Sequence, residues 1–302
     1  MPKIKIPAST ANMGPGFDSL GMALALYNEI EFTQIEKGLE IMVSPSDAAS
    51  NIATDERNLI YCAIREGLKE TGVDMPGLRI VQTNNIPQTR GLGSSSACVV
   101  GGIIAANIIS GGLLSTDDMI AIAARMEGHP DNILPTFVGG MAVAIMDHDA
   151  VRYIRIHPPA ALKCCVMIPD FPLSTAKARD VLPTQVSLQD AVFNVSRAGF
   201  MVGIMEQGRL DLLPYALKDR LHQPYRKKLI EGYDEVVQEA EKNGALGCCL
   251  SGAGPTMIAF LDGNAQQFVQ RMKASLQSLG LLWRVELLEI CHSGATWEMD
   301  ET

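Results

Sequence analysis

Three consecutive hydroxyls, Ser94, Ser95 and Ser96, stand directly behind the turn Gly91-Leu-Gly93, inside the segment Pro87-Gln-Thr-Arg-Gly-Leu-Gly-Ser-Ser-Ser-Ala97. A strand-like run, Leu78-Arg-Ile-Val81, precedes the segment, and a small-residue apolar stretch that reads as a buried helix follows it. A glycine-rich turn opening a helix is an anion site. Glycine lets the backbone come close to a ligand and take positive φ, and the free amides at the positive end of the helix dipole then face the charge. The serines add short donors, and one of them can ligate a cation carried by a phosphate. The same kind of turn also caps ordinary helices, so taken alone it leaves a structural cap open as the alternative.

Two commoner phosphate motifs do not fit. A P-loop needs a lysine followed by Ser or Thr after its last glycine, and no lysine lies between Lys69 and Lys163. A dinucleotide fingerprint needs a third glycine three residues after the second. Ser96, Ser19 and Met257 occupy that place in Gly91-Leu-Gly93, Gly14-Pro-Gly16 and Gly252-Ala-Gly254.

The serine turn has companions. Pro7-Ala-Ser-Thr-Ala-Asn-Met-Gly-Pro-Gly-Phe-Asp-Ser-Leu-Gly21 is turn-rich and carries Asn12 and Asp18. Gly247-Cys-Cys-Leu-Ser-Gly-Ala-Gly-Pro-Thr256 reads as a strand entering a glycine turn. Between them lies Glu127-Gly-His-Pro-Asp-Asn132, four polar side chains straight after an apolar helix, which folding alone explains poorly.

The elements that must position these residues interleave. Ile4–Ile6, Asn28–Thr33, Glu40–Val43 and Leu78–Gln82 read as strands, and Asn58–Thr71 as an amphipathic helix. Ser115–Glu127 is predicted helical, with Ser115 as N-cap and acids in its first turn. Gly140–Met146 and Val151–His157 read as strands joined by the turn Asp147-His-Asp149. A second half begins near Pro158-Pro159. It holds strands at Leu162–Ile168, Gly247–Leu250, Thr256–Leu261 and Leu282–Leu288, and helices at Thr175–Leu182, Gln189–Met205, Leu229–Lys242 and Ala265–Leu279. Its closing order of strand, strand, helix, strand predicts an antiparallel sheet with helices on one face. The tail Met299-Asp-Glu-Thr302 is expected to fray.

With 302 residues, of which 47% are hydrophobic, a sizeable core is available. A net charge of −9 argues against non-specific nucleic-acid binding, which needs a basic surface. No apolar run approaches the length of a membrane span, and Met1-Pro-Lys-Ile-Lys-Ile-Pro7 enters a strand-like segment without the features of a secretory signal. The seven cysteines show no CxxC spacing, and no HExxH occurs. The adjacent pairs Cys164-Cys165 and Cys248-Cys249 lie in strand-like runs, where neighbours point to opposite faces, so buried thiols are expected rather than disulfides. A reduced, cytoplasmic protein fits these features.

The four motifs together, in this order and spread over essentially the whole chain, resemble those of the GHMP kinases, a family of small-molecule kinases. Their details are most similar to the branch that phosphorylates the side-chain hydroxyl of L-homoserine with ATP and Mg²⁺, a step of threonine biosynthesis. The resemblance implies an α+β, two-domain GHMP kinase fold. Residues 1–157 would form an ATP-binding domain like ribosomal protein S5 domain 2, residues 158–302 a ferredoxin-like domain, with the active site in the cleft between. It also implies a homodimer. The stretch Pro87-Gln-Thr-Arg90 departs mildly from the family's usual opening of this loop.

The resemblance also implies roles. Pro87, Arg90, Gly91, Leu92, Gly93, Ser94, Ser95, Ser96 and Ala97 would wrap the triphosphate. Asn58 matches a position that contacts the adenine; the alternative is an N-cap of the helix it opens, and one residue could serve both. Ser95 and Glu127 would hold Mg²⁺, or Glu127 serves a helix-terminal network. A zwitterionic acceptor needs both signs of charge in its site. Arg179 and Arg226 would clamp its carboxylate with their forked guanidinium groups. Asp18 would take its ammonium, with Asn12, Thr175 and His129 nearby. Asp131 aligns with the base of other GHMP kinases, and in the homoserine branch Asn132 is expected to orient the hydroxyl. L-threonine or mevalonate as acceptor, and a catalytically silent metabolite sensor, are the competing readings.

Overall fold

The computed structural model describes residues 1–44, 52–148 and 150–298. Asp149 of the expected turn and the tail 299–302 lie outside the described residues.

The first half is a mixed sheet covered by helices. Its elements in order are β1 (Lys3–Ala11), β2 (Leu20–Ile35), β3 (Leu39–Ser44), α1 (Leu59–Thr71), β4 (Gly77–Thr83), α2 (Ser94–Ile109), α3 (Thr116–Glu127), α4 (Ile133–Val138), β5 (Met141–Asp147) and β6 (Ala150–Ile156). β1 and β2 pair antiparallel, with a register shift between Pro7 and Ala8. The far part of β2 pairs with β4, and its first residues, Leu20–Met22, pair with β5. β2 is thus far longer than the Asn28–Thr33 run predicted. Gly21 breaks its alternation because a Cβ there would collide with the Asp131 carbonyl, so the same close approach that hides the strand in sequence seats Asp131 on it.

α2 is buried continuously from Ser96 to Ala106, as a helix apolar all round must be. Glycines let its neighbours in: a Cβ on Gly102 would stand 2.5 Å from the Ala63 Cβ of α1. α3 opens with a reciprocal capping box between Ser115 and Asp118. That fixes the helix whose last residue is Glu127.

The second half comprises β7 (Leu162–Ile168), α5 (Thr175–Asp180), α6 (Leu188–Gln207), α7 (Leu213–Ala216), α8 (Gln223–Arg226), α9 (Tyr233–Lys242), β8 (Gly247–Leu250), β9 (Met257–Asp262), α10 (Ala265–Ser278) and β10 (Arg284–Leu288). The four strands form an antiparallel sheet in the order β10-β7-β9-β8. Helices cover both of its faces, not one. Cys165, Met167 and Ala259 share a core with Val236 of α9 and Phe268 and Met272 of α10. Cys164, Val166 and Phe260 join the core that holds Met201 and Ile204 of α6 and runs on into the first half. The adjacent cysteines therefore point to opposite faces, and all seven cysteines are free thiols. α9 begins at Tyr233 rather than Leu229, after Gly232 takes a left-handed φ of 81°.

A last strand, β11 (Thr296–Glu298), returns to pair antiparallel with β1. The chain's C-terminal segment thus closes the first sheet. Among the described residues no helix is long and apolar enough to cross a membrane.

Candidate active site

A cavity of about 280 Å³ opens between the halves, lined by residues of all four motifs. One wall is the serine turn. Gly91 and Gly93 take φ of 76° and 70°, so α2 starts with no side chain capping its first amides. Ser95 Oγ donates to Glu127 Oε1 at 2.5 Å and Ser96 Oγ to Oε2 at 3.1 Å. Glu127 therefore sits at the end of α3 facing the start of α2, with two hydroxyls on its carboxylate.

The turn is braced from the second half. Ser251 Oγ donates to the Gly91 carbonyl at 2.6 Å and Thr256 N to that of Arg90 at 3.3 Å. Arg90 lines the cavity, but its Nε donates to the Pro169 carbonyl at 3.0 Å and its Nη2 to that of Asp170 at 2.5 Å. Partial burial lowers its pKa. Asn12 links the remaining motifs: Nδ2 donates to the Gly252 carbonyl at 2.8 Å, and Oδ1 accepts from Asp18 N at 3.0 Å.

Other lining residues carry further charges. Arg179, on α5, forms a two-pronged pair with Asp18 at 2.7 and 3.0 Å, which raises the arginine's pKa. His129 Nδ1 lies 2.5 Å from Asp131 Oδ1. Burial pushes the His129 pKa down, but Asp131 beside it and Asp18 further off outweigh burial, so the net shift is up. A raised folded value adds stability that is complete below the ordinary histidine pKa of about 6.5 and is lost as pH climbs through the folded value. Asn132 Oδ1 accepts from Ser9 Oγ at 2.8 Å. Arg226 is 1% exposed, and burial, with Arg179 nearby, lowers its pKa to about 10.

Asn12, Asp18, Gly91, Gly93, Ser94–Ser96, Glu127, His129, Asp131, Asn132, Thr175, Arg179 and Arg226 all line this one cavity. Pro87, Leu92, Ala97 and Asn58 do not. Leu92 and Ala97 are core residues that anchor the turn from behind. Asn58 caps α1: Oδ1 accepts from Ile60 N and Tyr61 N, while Nδ2 donates to the Ala53 carbonyl and to Gln82 Oε1. Both donors and both lone pairs of its amide are used. Asn58→Ala is expected to cost about 1–2 kcal/mol, read as a lower Tm, with the KM for ATP little changed. A raised KM in a fully folded variant would instead return Asn58 to the adenine site.

Four lining residues escaped the sequence reading: Thr89, Met126, Gly252 and Ala253. Gly252 and Ala253 belong to the glycine turn that follows Ser251, and Thr89 to the serine-turn segment. Met126 carries no chemical signal of its own and is found only through its neighbour Glu127.

Residues 58–140 match the family described as GHMP kinases N terminal domain, and residues 201–277 match GHMP kinases C terminal. The chain is 51% identical over 298 residues to a homoserine kinase of Caldicellulosiruptor saccharolyticus, covering 98% of this chain and 96% of that one. It is 44% identical over 301 residues to a homoserine kinase of Petrotoga mobilis, covering 100% and 98%. The crystal structure of homoserine kinase from Cytophaga hutchinsonii matches with a TM-score of 0.89 at 29% identity, covering 98% of this chain and 96% of that one. A mevalonate kinase of L. major in complex with R-mevalonate matches with a TM-score of 0.72 at 16% identity, covering 97% of each chain, and shares the fold. Fold and cleft are those of a small-molecule kinase, and the chain belongs to the GHMP kinase family. Within that family its similarity is to the homoserine kinases.

Proposed function

We infer that this protein transfers the γ-phosphoryl group of ATP to the side-chain hydroxyl of L-homoserine, giving O-phospho-L-homoserine and ADP in threonine biosynthesis. One observation carries the reading. The helix-terminal anion turn and the oppositely charged pair Asp18 and Arg179 face one small cavity. That is the charge pattern of a site joining a polyphosphate to a zwitterion.

The amides of Gly91–Ser96 and the α2 dipole bind the triphosphate. Ser95 and Glu127 offer hard oxygen donors 2.5 Å apart, a set that suits Mg²⁺, which favours oxygen and keeps several waters. Bound there, Mg²⁺ would neutralise charge on the β- and γ-phosphates. Asp18 receives the substrate ammonium, and Arg179 and Arg226 its carboxylate. Asn12, Thr175 and His129 complete the pocket. Asn132 orients the hydroxyl for in-line attack. The hydroxyl oxygen forms the new bond to the γ-phosphorus as the bond to the β,γ-bridging oxygen breaks. ADP leaves with that electron pair, and the hydroxyl proton passes to Asp131. Positioning and charge stabilisation supply most of the rate.

We place the protein in a reducing cytoplasm, with L-homoserine as small-molecule partner and neither nucleic acid nor membrane as ligand. Its seven free thiols and net charge of −9 support this. A homodimer is also proposed. The exposed apolar residues Leu188, Val192 and Val195 on one stretch of α6 offer such a contact.

The test is ADP release from Mg-ATP with L-homoserine, L-threonine, L-serine and mevalonate side by side. Fast turnover with homoserine alone is expected. Preference for another acceptor would overturn the pocket assignments, and ATP binding without turnover would favour a sensor.

A further inference from the structure

Beneath the charged lining residues lies a buried cluster that the reaction does not directly use. His222, at the start of α8, is fully buried, and its ring stacks on Phe17 at 5.3 Å between centroids. Its Nε2 lies 2.7 Å from the Gly14 carbonyl. Its Nδ1 lies 3.2 Å from Nη1 of Arg226. A carbonyl only accepts and a guanidinium only donates. The Gly14 carbonyl and the Asp219 carboxylate, whose Oδ2 lies 3.5 Å from Nε2, are both acceptors and call for a proton on Nε2, while the Arg226 donor requires a lone pair on Nδ1, so the ring is neutral. Burial works in the same direction, lowering the pKa, and Arg226 adds to it against the opposing pull of Asp219.

Asp219 locks the turn that delivers this ring. Its carboxylate accepts from the backbone amides of Leu221, His222 and Gln223 at 2.7–3.0 Å and from Asn194 Nδ2 at 2.7 Å. Arg226 is then held at two further points. Nε donates to the Ala178 carbonyl at 3.1 Å, and Nη1 also reaches the Gly252 carbonyl at 3.2 Å. The guanidinium groups of Arg226 and Arg179 stand 5.2 and 5.5 Å from the Phe17 ring. Among the described residues no protein acceptor engages Nη2 of Arg226, whose residue lines the cavity. Two like charges are thus held close, with one fork aimed by a neutral ring.

We propose that His222 is a positioning residue for substrate recognition, its neutral Nε2–H tautomer holding Arg226 in the orientation that receives the acceptor's carboxylate. Through Nε2 it also ties that arginine to the Gly14 turn, on the segment that carries Asp18. The proposal rests on the assignment of Arg226 to the substrate carboxylate. It adds a residue that touches neither substrate nor nucleotide.

Two variants and one spectrum test it. In His222→Gln the amide can donate to Gly14 and accept from Arg226, so the KM for L-homoserine should stay near the wild-type value. His222→Leu keeps the volume but loses both the acceptor facing Arg226 and the donor to the Gly14 carbonyl. Its KM for homoserine should rise roughly tenfold or more, the loss of one hydrogen bond to a charged group, with the KM for ATP unchanged. Equal damage from both variants, or a rise in both KM values, would show a purely structural role and overturn the proposal. The spectrum uses the wild-type protein and needs no variant to fold. Imidazole ¹⁵N resonances at neutral pH should show His222 as the neutral Nε2–H tautomer, with Nδ1 shifting when homoserine binds. A protonated ring or the other tautomer would also overturn it. If wild-type enzyme binds ATP but does not turn over homoserine, the functional reading itself has failed, a result distinct from any of these.

Discussion

Gly93→Ala should all but abolish turnover while leaving most of the fold intact. Gly93 has φ of 70°, and a Cβ placed there would stand 2.1 Å from Ser9 Oγ and 3.2 Å from Asn132 Oδ1. Left-handed backbone costs a non-glycine residue about 1–2 kcal/mol, and the contact adds to that. Relief requires the start of α2 or the Ser9–Asn132 hydrogen bond to move, and both border the reacting groups. A misplacement of about 1 Å can cost on the order of 10²-fold in rate, so kcat/KM for ATP is expected to fall at least that far. Gly111→Ala is the matched control. It has a similar φ of 77°, nothing within 4 Å of the added Cβ, and lies past the far end of α2. It should lower Tm through the same backbone strain and leave kcat unchanged. Comparable activity loss in both variants would mean that strain, not geometry at the anion turn, is what matters.

That contrast also shows what was legible in the sequence. Gly91, Gly93 and the three serines carry a local signal, because turn, helix start and donors are contiguous. Charged residues in odd company, such as the Glu127–Asn132 run, were legible for the same reason. What could not be read was where separate loops meet. Asn12 reaches Gly252 across 240 positions, and Ser251 reaches Gly91 across 160. No periodicity encodes such contacts. The long β2 was masked by Gly21, whose missing side chain serves a neighbour rather than the strand. Asn58 offered two readings, and its four internal hydrogen bonds favour the cap. β11 was invisible because three exposed residues pair with β1 at a sheet edge without burying an apolar face. The role of His222 depends on two ring nitrogens facing different partners, which only coordinates reveal.

Asp131→Asn should lower kcat on the order of 10²–10⁴-fold, the range for loss of a positioned general base, with little change in the KM for ATP. Asp131 is 3% exposed, and His129 holds one of its oxygens at 2.5 Å. That contact orients the carboxylate, and its other oxygen makes no hydrogen bond among the described residues. Asparagine preserves shape but cannot take a proton. It also removes the charge that holds the His129 pKa up, since the hydrogen bond and charge of Asp131 are the main forces opposing burial there. The His129 pKa, followed by NMR titration, should therefore fall in the variant. Stability gained from that raised value below about pH 6.5 should fall with it. The two readouts separate the roles. If Asp131 takes the proton, turnover collapses and the histidine shift is a side effect. If it only orients His129 and its neighbours, the histidine pKa still moves but kcat falls less than about tenfold. Transfer would then be driven by positioning and charge alone, which a phosphoryl group with a loose transition state permits.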